Sequence, residues 1–458
     1  MQMFKKNKNQ ANLIISSLLF LVIFFVFNSC NIFEETQTDE TQALTTDQEI
    51  VSGQQNKQDE MQIIEIEIWD RLNPKEQIEL MNSMQIFNEN NNNLKIITRH
   101  LRSEEELIDQ FKAASLAGAG PDIIIANLAS TTELAKARVI KKIPEDLKHF
   151  DIFEGLKEIS EFEREDYAIA FRAFNFLILY YNKDFLEKAP KDFTELITYC
   201  KNVNNPNDNT WGFLFNLNEP DWIIPFVGGY QNWVYDYITG SVSLNSEAMA
   251  NSLSFLLNIY NEEKIIPTRL SYEDINDAFK IGKAHMIING DWAKNEYENE
   301  GINFGIAKIP VVLDGLKNPT PMVDGIGFMI NVNTYGKKLE VSKKLIDFLM
   351  SEEIQISWTL RTDTYTVLKS LKDLPEIKNN NVFYGISEQL AICRGKIPDD
   401  SLRVIRDAIR MNIENVMNGS ISPQDAVIKM QEDAINLKTK KTETLQDFKP
   451  KDEDQSSQ

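Results

Sequence analysis

Residues 118–137 read GAGPDIIIANLASTTELAKA, and this stretch decides the fold class. Its middle, residues 121–126, is a short and mostly apolar run preceded by two glycines, which favours a strand buried on both faces. Ser130 stands three residues before Glu133, a spacing that commonly begins a helix. A buried strand followed at once by a helix is typical of α/β domains with a mainly parallel sheet.

The residues before this stretch show the same alternation of strand and helix. Residues 63–69 alternate apolar and acidic side chains, as expected of a strand with one buried face. The sequence from Asn73 to Glu76 predicts a helix start with asparagine as the N-cap. A second strand is expected at residues 94–98, and Ser103 begins the next helix. The resulting order, βαβαβα, predicts one α/β lobe.

The pattern returns further along the chain and predicts a second lobe. Strands are expected at residues 176–181, 285–289, 304–309 and 326–332. Helices are expected at residues 246–260, 338–350 and 353–360, and after start signals at Asp192, Ser271 and Ser422. About 380 structured residues suit two α/β lobes better than one sheet.

The chain carries a large excess of negative charge. Its 458 residues have a formal net charge of −21, with 42% hydrophobic and 10% aromatic residues. This charge opposes binding to nucleic acid and to anionic lipid surfaces, because both require cationic side chains. The three histidines are widely spaced, without an HExxH or CxxC motif. We therefore expect no metal site, no histidine-based triad and no cofactor.

Residues 1–29 have the form of a secretory signal. Three lysines precede an apolar run at residues 11–27, which is marginal for a spanning helix of roughly 20 residues. Cys30 closes the run and resembles the lipidated cysteine of bacterial lipoproteins, although Asn28 is unusual in that motif. The alternatives are an uncleaved anchor and a plain signal peptide. Each of these predicts a membrane-associated or exported protein that works outside the cytoplasm, at a cell surface or in a periplasm.

Polar segments flank the predicted lobes. Residues 30–60 are rich in threonine, glutamine and acidic residues, which predicts a flexible tether. Residues 438–458 predict a polar tail.

Two cysteines besides Cys30 lie inside the predicted lobes. Cys200 and Cys393 could form a disulfide in an exported protein. Two cysteines in a chain of this size are more often small buried residues, and the sequence leaves both possibilities open.

Several motifs stand in an order that identifies a family. They are GAGPDII at 118–124, LYYNKD at 179–184, FNLNEP at 215–220, GGY at 228–230, AFKIGKAHMIINGDW at 278–292 and NFGIAKIP at 303–310. Together they resemble the extracellular solute-binding proteins of bacterial ABC importers, in the sugar-binding branch of the maltose-binding type.

The resemblance implies a type II periplasmic-binding-protein fold, in which crossing hinge strands join two lobes around a ligand cleft. It implies an N-lobe of residues 61–173 plus 310–355 and a C-lobe of residues 174–309 plus 356–437. The crossings are expected near residues 172–176 and 304–309. The implied partners are a carbohydrate and the permease subunits of an ABC importer. The protein is expected to be a monomer and not an enzyme.

A carbohydrate site combines aromatic rings that stack on sugars with carboxylates and amides that bond hydroxyls. The resemblance places Trp292 at a stacking position and Glu219 at a ligand carboxylate. Asp221, Trp222 and Trp233 lie close by in sequence and are further candidates to line the pocket. The alternatives are a core role for the tryptophans and a solvated turn for Glu219.

The N-lobe supplies candidates from strand ends and connections. Asp70 and Arg71 end the first strand, and carboxyl ends of parallel strands face the crevice in open α/β sheets. They could share sugar hydroxyls or simply form a local ion pair. Asn127 follows the buried strand and could donate a hydrogen bond. Asn175 stands at the first crossing, and Arg361 lies before the C-terminal helices.

Three departures from the maltose-binding pattern affect the expected ligand. Ala126 stands where the pattern has a tryptophan, and Ala129 with Ser130 where it has an aspartate–arginine pair. Leu402 replaces a late tryptophan. The resemblance therefore supports a sugar or oligosaccharide as the ligand but does not support maltose.

Other functions stay open at this point. An exported glycoside hydrolase needs two carboxylates about 5 or 6.5–9.5 Å apart, which Glu219, Asp221 and Asp291 could supply. A binding protein for a non-sugar solute and a surface lipoprotein that binds another protein are the remaining alternatives.

Overall fold

The structure, a computed structural model, describes residues 63–91, 93–267, 270–312 and 316–447. The predicted signal, Cys30, the tether and the last residues of the predicted tail lie outside these ranges. Within them, no helix is both long and apolar enough to cross a membrane.

The strands form two main sheets and two short hairpins. In chain order they are β1 (Ile64–Asp70), β2 (Leu94–His100), β3 (Ile123–Asn127), β4 (Glu161–Phe162), β5 (Glu165–Asp166), β6 (Ile169–Phe174), β7 (Leu177–Asn182), β8 (Tyr235–Asp236), β9 (Ser241–Val242), β10 (Met286–Gly290), β11 (Phe304–Ala307), β12 (Met322–Ile330) and β13 (Arg394–Gly395). The larger sheet has the order β13-β12-β3-β1-β2, with β6 also paired to β12, and the smaller has the order β10-β7-β11.

Helices alternate with these strands along much of the chain. They are α1 (Pro74–Glu89), α2 (Glu104–Leu116), α3 (Thr131–Lys136), α4 (Glu154–Ser160), α5 (Phe193–Val203), α6 (Pro220–Gly229), α7 (Glu247–Leu257), α8 (Tyr272–Lys280), α9 (Lys294–Asn299), α10 (Gly336–Leu349), α11 (Glu352–Thr362), α12 (Pro375–Lys378), α13 (Asn381–Leu390), α14 (Asp399–Met417) and α15 (Pro423–Asp447). The last helix thus continues into the segment predicted to be a polar tail.

The larger sheet confirms the predicted α/β lobe. Strand β1 pairs in parallel with β2 and with β3, so that Ile68 lies between Thr98 and Ile123. The apolar run of β3 is almost completely buried, as expected of a central parallel strand. Strand β12 runs antiparallel to β3, so the larger sheet is mixed rather than purely parallel.

The chain passes between the two sheets at short connections. Only Asn175 and Phe176 separate β6 of the larger sheet from β7 of the smaller one, and the φ of Asn175 is +60°. The chain returns between β11 and β12. Near the first crossing, Ala173 also pairs with Tyr365, which lies beyond α11. The fold is therefore the expected pair of α/β lobes joined by crossing strands.

The smaller sheet is buried on both faces, and its side chains alternate between two cores. On β7, Ile178 and Tyr180 belong to the core that continues into the first lobe, whereas Leu179 and Tyr181 belong to the second core. Cys393 lies in the first core and Cys200 in the second, and both are buried free thiols. Of the two possibilities left open by the sequence, a disulfide or small buried residues, the structure shows small buried residues.

Most predicted helix starts are confirmed at the level of individual hydrogen bonds. Asn73 accepts a bond from the Glu76 amide at 3.1 Å, and the Glu76 carboxylate accepts one from the Asn73 amide at 2.9 Å. Asp192 caps α5 by accepting a hydrogen bond from the Glu195 amide at 2.8 Å. The predicted cap at Ser130 is wrong, because Ser130 already has helical dihedrals at the end of a 3-10 turn and its side chain caps nothing.

The exact lobe boundaries stay a prediction, and the packing of α11 bears on them. Ser357 and Arg361 of this helix both bond to Glu79 of α1, at 3.1 and 3.3 Å. Part of the segment assigned to the C-lobe from the sequence therefore packs on a helix of the first lobe.

A buried ion pair beside the first crossing should be essential for stability. Arg172 Nε lies 2.7 Å from Glu76 Oε1, and Glu76 is fully buried. We expect Glu76→Ala to lower the free energy of unfolding by about 3 kcal/mol, because it leaves a guanidinium without its partner. Glu65→Ala, which breaks an exposed pair with Lys95, should leave that free energy nearly unchanged. Urea unfolding measures both, and equal effects would contradict this assignment.

Candidate functional site

An exposed aromatic cluster lies at the start of α6 and after β10. The rings of Trp222 and Trp292 lie 6.5 Å apart at 79°, and Trp222 also contacts Tyr272 at 6.2 Å. Trp292 Nε1 donates to the Tyr272 hydroxyl at 3.0 Å, and Trp222 Nε1 to the Ile288 carbonyl at 3.0 Å. Trp292 is nevertheless 48% exposed. These bonds orient two indoles while one of them stays open to solvent, as a stacking surface requires.

Gly290 is what allows Trp292 this position. A side chain on Gly290 would overlap the indole ring of Trp292, so the ring lies directly over the end of β10. The sequence GDW after a buried strand therefore places an aromatic ring flat against the sheet end.

The two predicted carboxylates beside the cluster are already paired with arginines of α14. Asp221 accepts from Arg406 through both oxygens, at 2.8 and 2.5 Å, and Glu219 accepts from Arg410 at 3.1 Å. The sequence reasoning missed both arginines. Their spacing of four residues on a helix, just after Leu402, is the signal that could have found them.

In the first lobe, Asp70 is not paired with Arg71 as the sequence alternative suggested. Asp70 is 2% exposed, bonds to His100 Nδ1 at 2.9 Å and accepts from the Leu72 amide at 3.0 Å. Its carboxylate therefore has partners within the lobe, whereas Arg71 is exposed. A role in ligand binding stays a prediction for both.

Asn127 lies beside a carboxylate that the sequence did not single out. The backbone amide of Asn127 donates a hydrogen bond to Glu104 Oε1 at 2.8 Å, and Glu104 is the first residue of α2. Burial raises the pKa of Glu104, and the Asn127 bond and the charge of Arg71 oppose that rise. Glu104, Asn127 and Arg71 thus form a polar group at the carboxyl ends of β1 and β3.

Asn175 and Arg361 occupy different surroundings. Asn175 is exposed at the first crossing, next to Asp291, whose carboxylate accepts from the Phe176 amide at 3.1 Å. Arg361 lies on the surface of α11 and pairs with Glu79 of α1. The structure therefore places Asn175 close to the turn that carries Trp292. It gives Arg361 an ion-pair partner within the first lobe.

Trp233 does not join the other tryptophans. It is 6% exposed and lines a large cavity of about 1640 Å³ near the opposite end of α6. The Arg394 guanidinium lies over the rings of Trp233 and Tyr237, at 5.5 and 5.3 Å. The cavity is bounded by both short hairpins, β4–β5 and β8–β9, which come from different lobes.

No group of histidine, cysteine, aspartate and glutamate is arranged to hold a metal ion among the residues that the structure describes. The arrangement around α6 can hold a neutral polar molecule by stacking and hydrogen bonding.

Two α/β lobes joined by crossing strands, with an exposed indole and hydrogen-bonding groups beside the crossing, are the arrangement expected of a solute-binding protein. Residues 82–383 match the family described as bacterial extracellular solute-binding protein, and the chain belongs to that family. The resemblance drawn from the sequence motifs is confirmed.

Individual relatives are distant. The galactooligosaccharide-binding protein of Bacillus subtilis is 23% identical over 343 residues, which cover 71% of this chain and 79% of the relative. A maltooligosaccharide ABC transporter solute-binding lipoprotein of Streptococcus pneumoniae is 24% identical over 231 residues, covering 46% of this chain and 52% of the relative. The chain thus spans about half the length of this second relative.

A solved structure shows the same fold. The maltose/maltodextrin-binding domain from Bdellovibrio bacteriovorus, bound to maltotriose, superposes with a TM-score of 0.57 at 26% identity. The match covers 81% of this chain and 99% of that domain.

The pairing of Asp221 with Arg406 can be measured. Because the pair is bidentate and partly buried, a double-mutant cycle of Asp221→Asn and Arg406→Gln should give a coupling free energy of about 1 kcal/mol in urea unfolding. The exposed Arg410 and Glu219 make a single bond, and the same cycle there should give a smaller value. Zero coupling at Asp221 would contradict the geometry.

Proposed function

We propose that this protein is the binding component of a bacterial ABC importer and that it captures a sugar or short oligosaccharide between its lobes. The names of the relatives, which bind galactooligosaccharides and maltooligosaccharides, support this ligand class. The importer's permease would receive the ligand from the closed form, without a chemical change to the sugar.

The observation that carries the proposal is the exposed Trp292 ring fixed against Trp222. Sugar rings have apolar C–H faces, and an indole half open to water gains contact area when such a face covers it. Asp221 and Glu219 stand next to the rings with their arginines, so hydroxyl groups would meet donors and acceptors together. This combination suits a neutral polar ligand better than a strongly charged one.

The departures from the maltose-binding pattern argue for a sugar other than maltose. Ala126 is buried in β3, and Leu402 is fully buried in α14. Neither position offers a surface on which a ring could stack. The site would therefore hold its sugar mainly from the side of Trp222 and Trp292.

We further propose that the mature chain begins at Cys30 and is held to a membrane by lipid there, outside the cytoplasm. The lipoprotein name of the pneumococcal relative supports this anchor. The tether of residues 30–60 would let a monomeric binding domain reach the permease.

A glycoside hydrolase is the less favoured alternative. The relatives are named as binding proteins, and arginines bond both oxygens of Asp221 and one oxygen of Glu219. Incubation with oligosaccharides separates the two functions, because a hydrolase releases products whereas a receptor retains its ligand unchanged.

Removing the Trp292 ring tests the site. We expect Trp292→Ala to weaken binding of maltotriose, or of the best ligand in a thermal-shift panel of sugars, at least tenfold, about 1.4 kcal/mol. The reason is the loss of a stacking surface that contributes little to the core. Isothermal titration calorimetry gives the dissociation constant.

Trp233→Phe is the matched control for this substitution, because Trp233 lines the large cavity at the other end of α6. It should bind with wild-type affinity. Weaker binding by Trp233→Phe together with unchanged binding by Trp292→Ala would move the ligand into that cavity.

The lipid anchor has its own test. In a host that processes lipoproteins, the wild-type chain should incorporate labelled fatty acid and partition into the membrane fraction. The Cys30→Ala variant should do neither. Equal labelling of both chains would rule out Cys30 as the modified residue.

A further inference from the structure

The turn that follows β10 contacts the first connection between the lobes. Asp291 makes two bonds to Phe176: its amide donates to the Phe176 carbonyl at 3.0 Å, and its carboxylate accepts from the Phe176 amide at 3.1 Å. The neighbouring Asn175 backbone amide also lowers the pKa of this carboxylate. Asn175 has a φ of +60°, a left-handed conformation that is uncommon for residues other than glycine. Asp291 therefore holds the crossing backbone in a conformation that needs outside support.

The residues after Asp291 contact the aromatic cluster and the segment that follows α11. Trp292 reaches Trp222 and Tyr272, as described above. Lys294 is 2% exposed, and its Nζ lies 2.8 and 2.7 Å from the carboxylate oxygens of Asp363, at the end of α11. Two residues beyond Asp363, Tyr365 pairs with Ala173 just before the first crossing. This turn and the start of α9 thus join the stacking surface to the first crossing and to the segment after α11 that pairs with it.

We propose that Asp291 is a positioning residue that couples occupancy of the Trp222–Trp292 surface to the backbone of the crossing at Asn175 and Phe176. This inference rests on the proposed function. Because Trp292 directly follows Asp291 in a single 3-10 turn, a ligand that shifts the indole also shifts the carboxylate relative to the two amides. The hydrogen bond between Asp291 and the Phe176 amide then changes in strength according to whether a ligand occupies the Trp222–Trp292 surface.

The charge of Asp291 makes this coupling measurable. Burial raises the pKa of Asp291 to about 7, opposed first by the Phe176 and Asn175 backbone amides and then by the Arg172 charge. The other titratable groups that face it are Tyr180, Tyr365 and Cys393. Above pH 7 the carboxylate is charged and accepts the Phe176 amide strongly, whereas below pH 7 the bound proton weakens this hydrogen bond.

The same shift predicts a stability cost. Because the folded-state pKa lies above the usual value for aspartate, the folded state binds the proton more tightly, and stability is lost as the pH rises from about 4 to 7. The uncharged Asp291→Asn variant should therefore melt at a higher temperature than the wild type at pH 8. This difference should shrink towards pH 5.

Hydrogen exchange of the ligand-free protein tests the proposal directly. The protection factor of peptides that contain the Asn175 and Phe176 amides should fall at least threefold from pH 8 to pH 6 in the wild type. It should not change with pH in Asp291→Asn. Asp208→Asn is the matched control, since Asp208 accepts the Thr210 amide at 3.0 Å in an exposed turn and should leave the wild-type profile intact.

The binding measurement completes the test. With maltotriose as the probe, the wild type should bind at least threefold more weakly at pH 6 than at pH 8, and Asp291→Asn should bind equally at both. Protection that is independent of pH in the wild type would overturn the role of Asp291, and it needs no variant to be measured. If maltotriose binds to no variant while the exchange result holds, the choice of sugar fails and the role of Asp291 stands.

Discussion

Strand β12 is the constraint on which the rest of the structure depends, because it borders the first crossing and begins where the chain returns from β11. It pairs with β6 just before the first crossing, with β13 at its start, and receives the returning chain itself. Its pairing with β6 contains an irregularity at Gly327, where a Cβ atom would lie 2.5 Å from the Ile169 carbonyl. Only glycine permits this close approach. The connections are therefore fixed as one unit, about which the lobes can move.

The candidate site uses this fixed unit as its base. The aromatic surface at Trp292 and the amides of the first crossing are separated by a single residue, Asp291. A ligand that contacts the indoles therefore acts on the connection itself, and part of its binding free energy is available to favour the closed form. The pairs made by Asp221 and Glu219 keep the charged groups of this surface in place before a ligand arrives.

Local signals in the sequence predicted the local structure well. The strand of residues 121–126 and the capping box at Asn73 depend on neighbouring residues, and both are confirmed. The two-lobed fold and the crossing near Asn175 were predicted from the family motifs and from their order along the chain. Ser130 failed because the turn before it was already helical, which the spacing to Glu133 does not reveal.

Partners far apart in the chain could not be predicted. Arg406 meets Asp221 across 185 residues, and only the packing of α14 on α6 brings them together. Trp233, close to Trp222 in sequence, lies at the other end of a helix. The most direct test of the central claim is small-angle X-ray scattering of the mature domain with a saturating oligosaccharide. The account predicts a smaller radius of gyration than for the free protein. An unchanged radius at full occupancy, established by calorimetry, would contradict it.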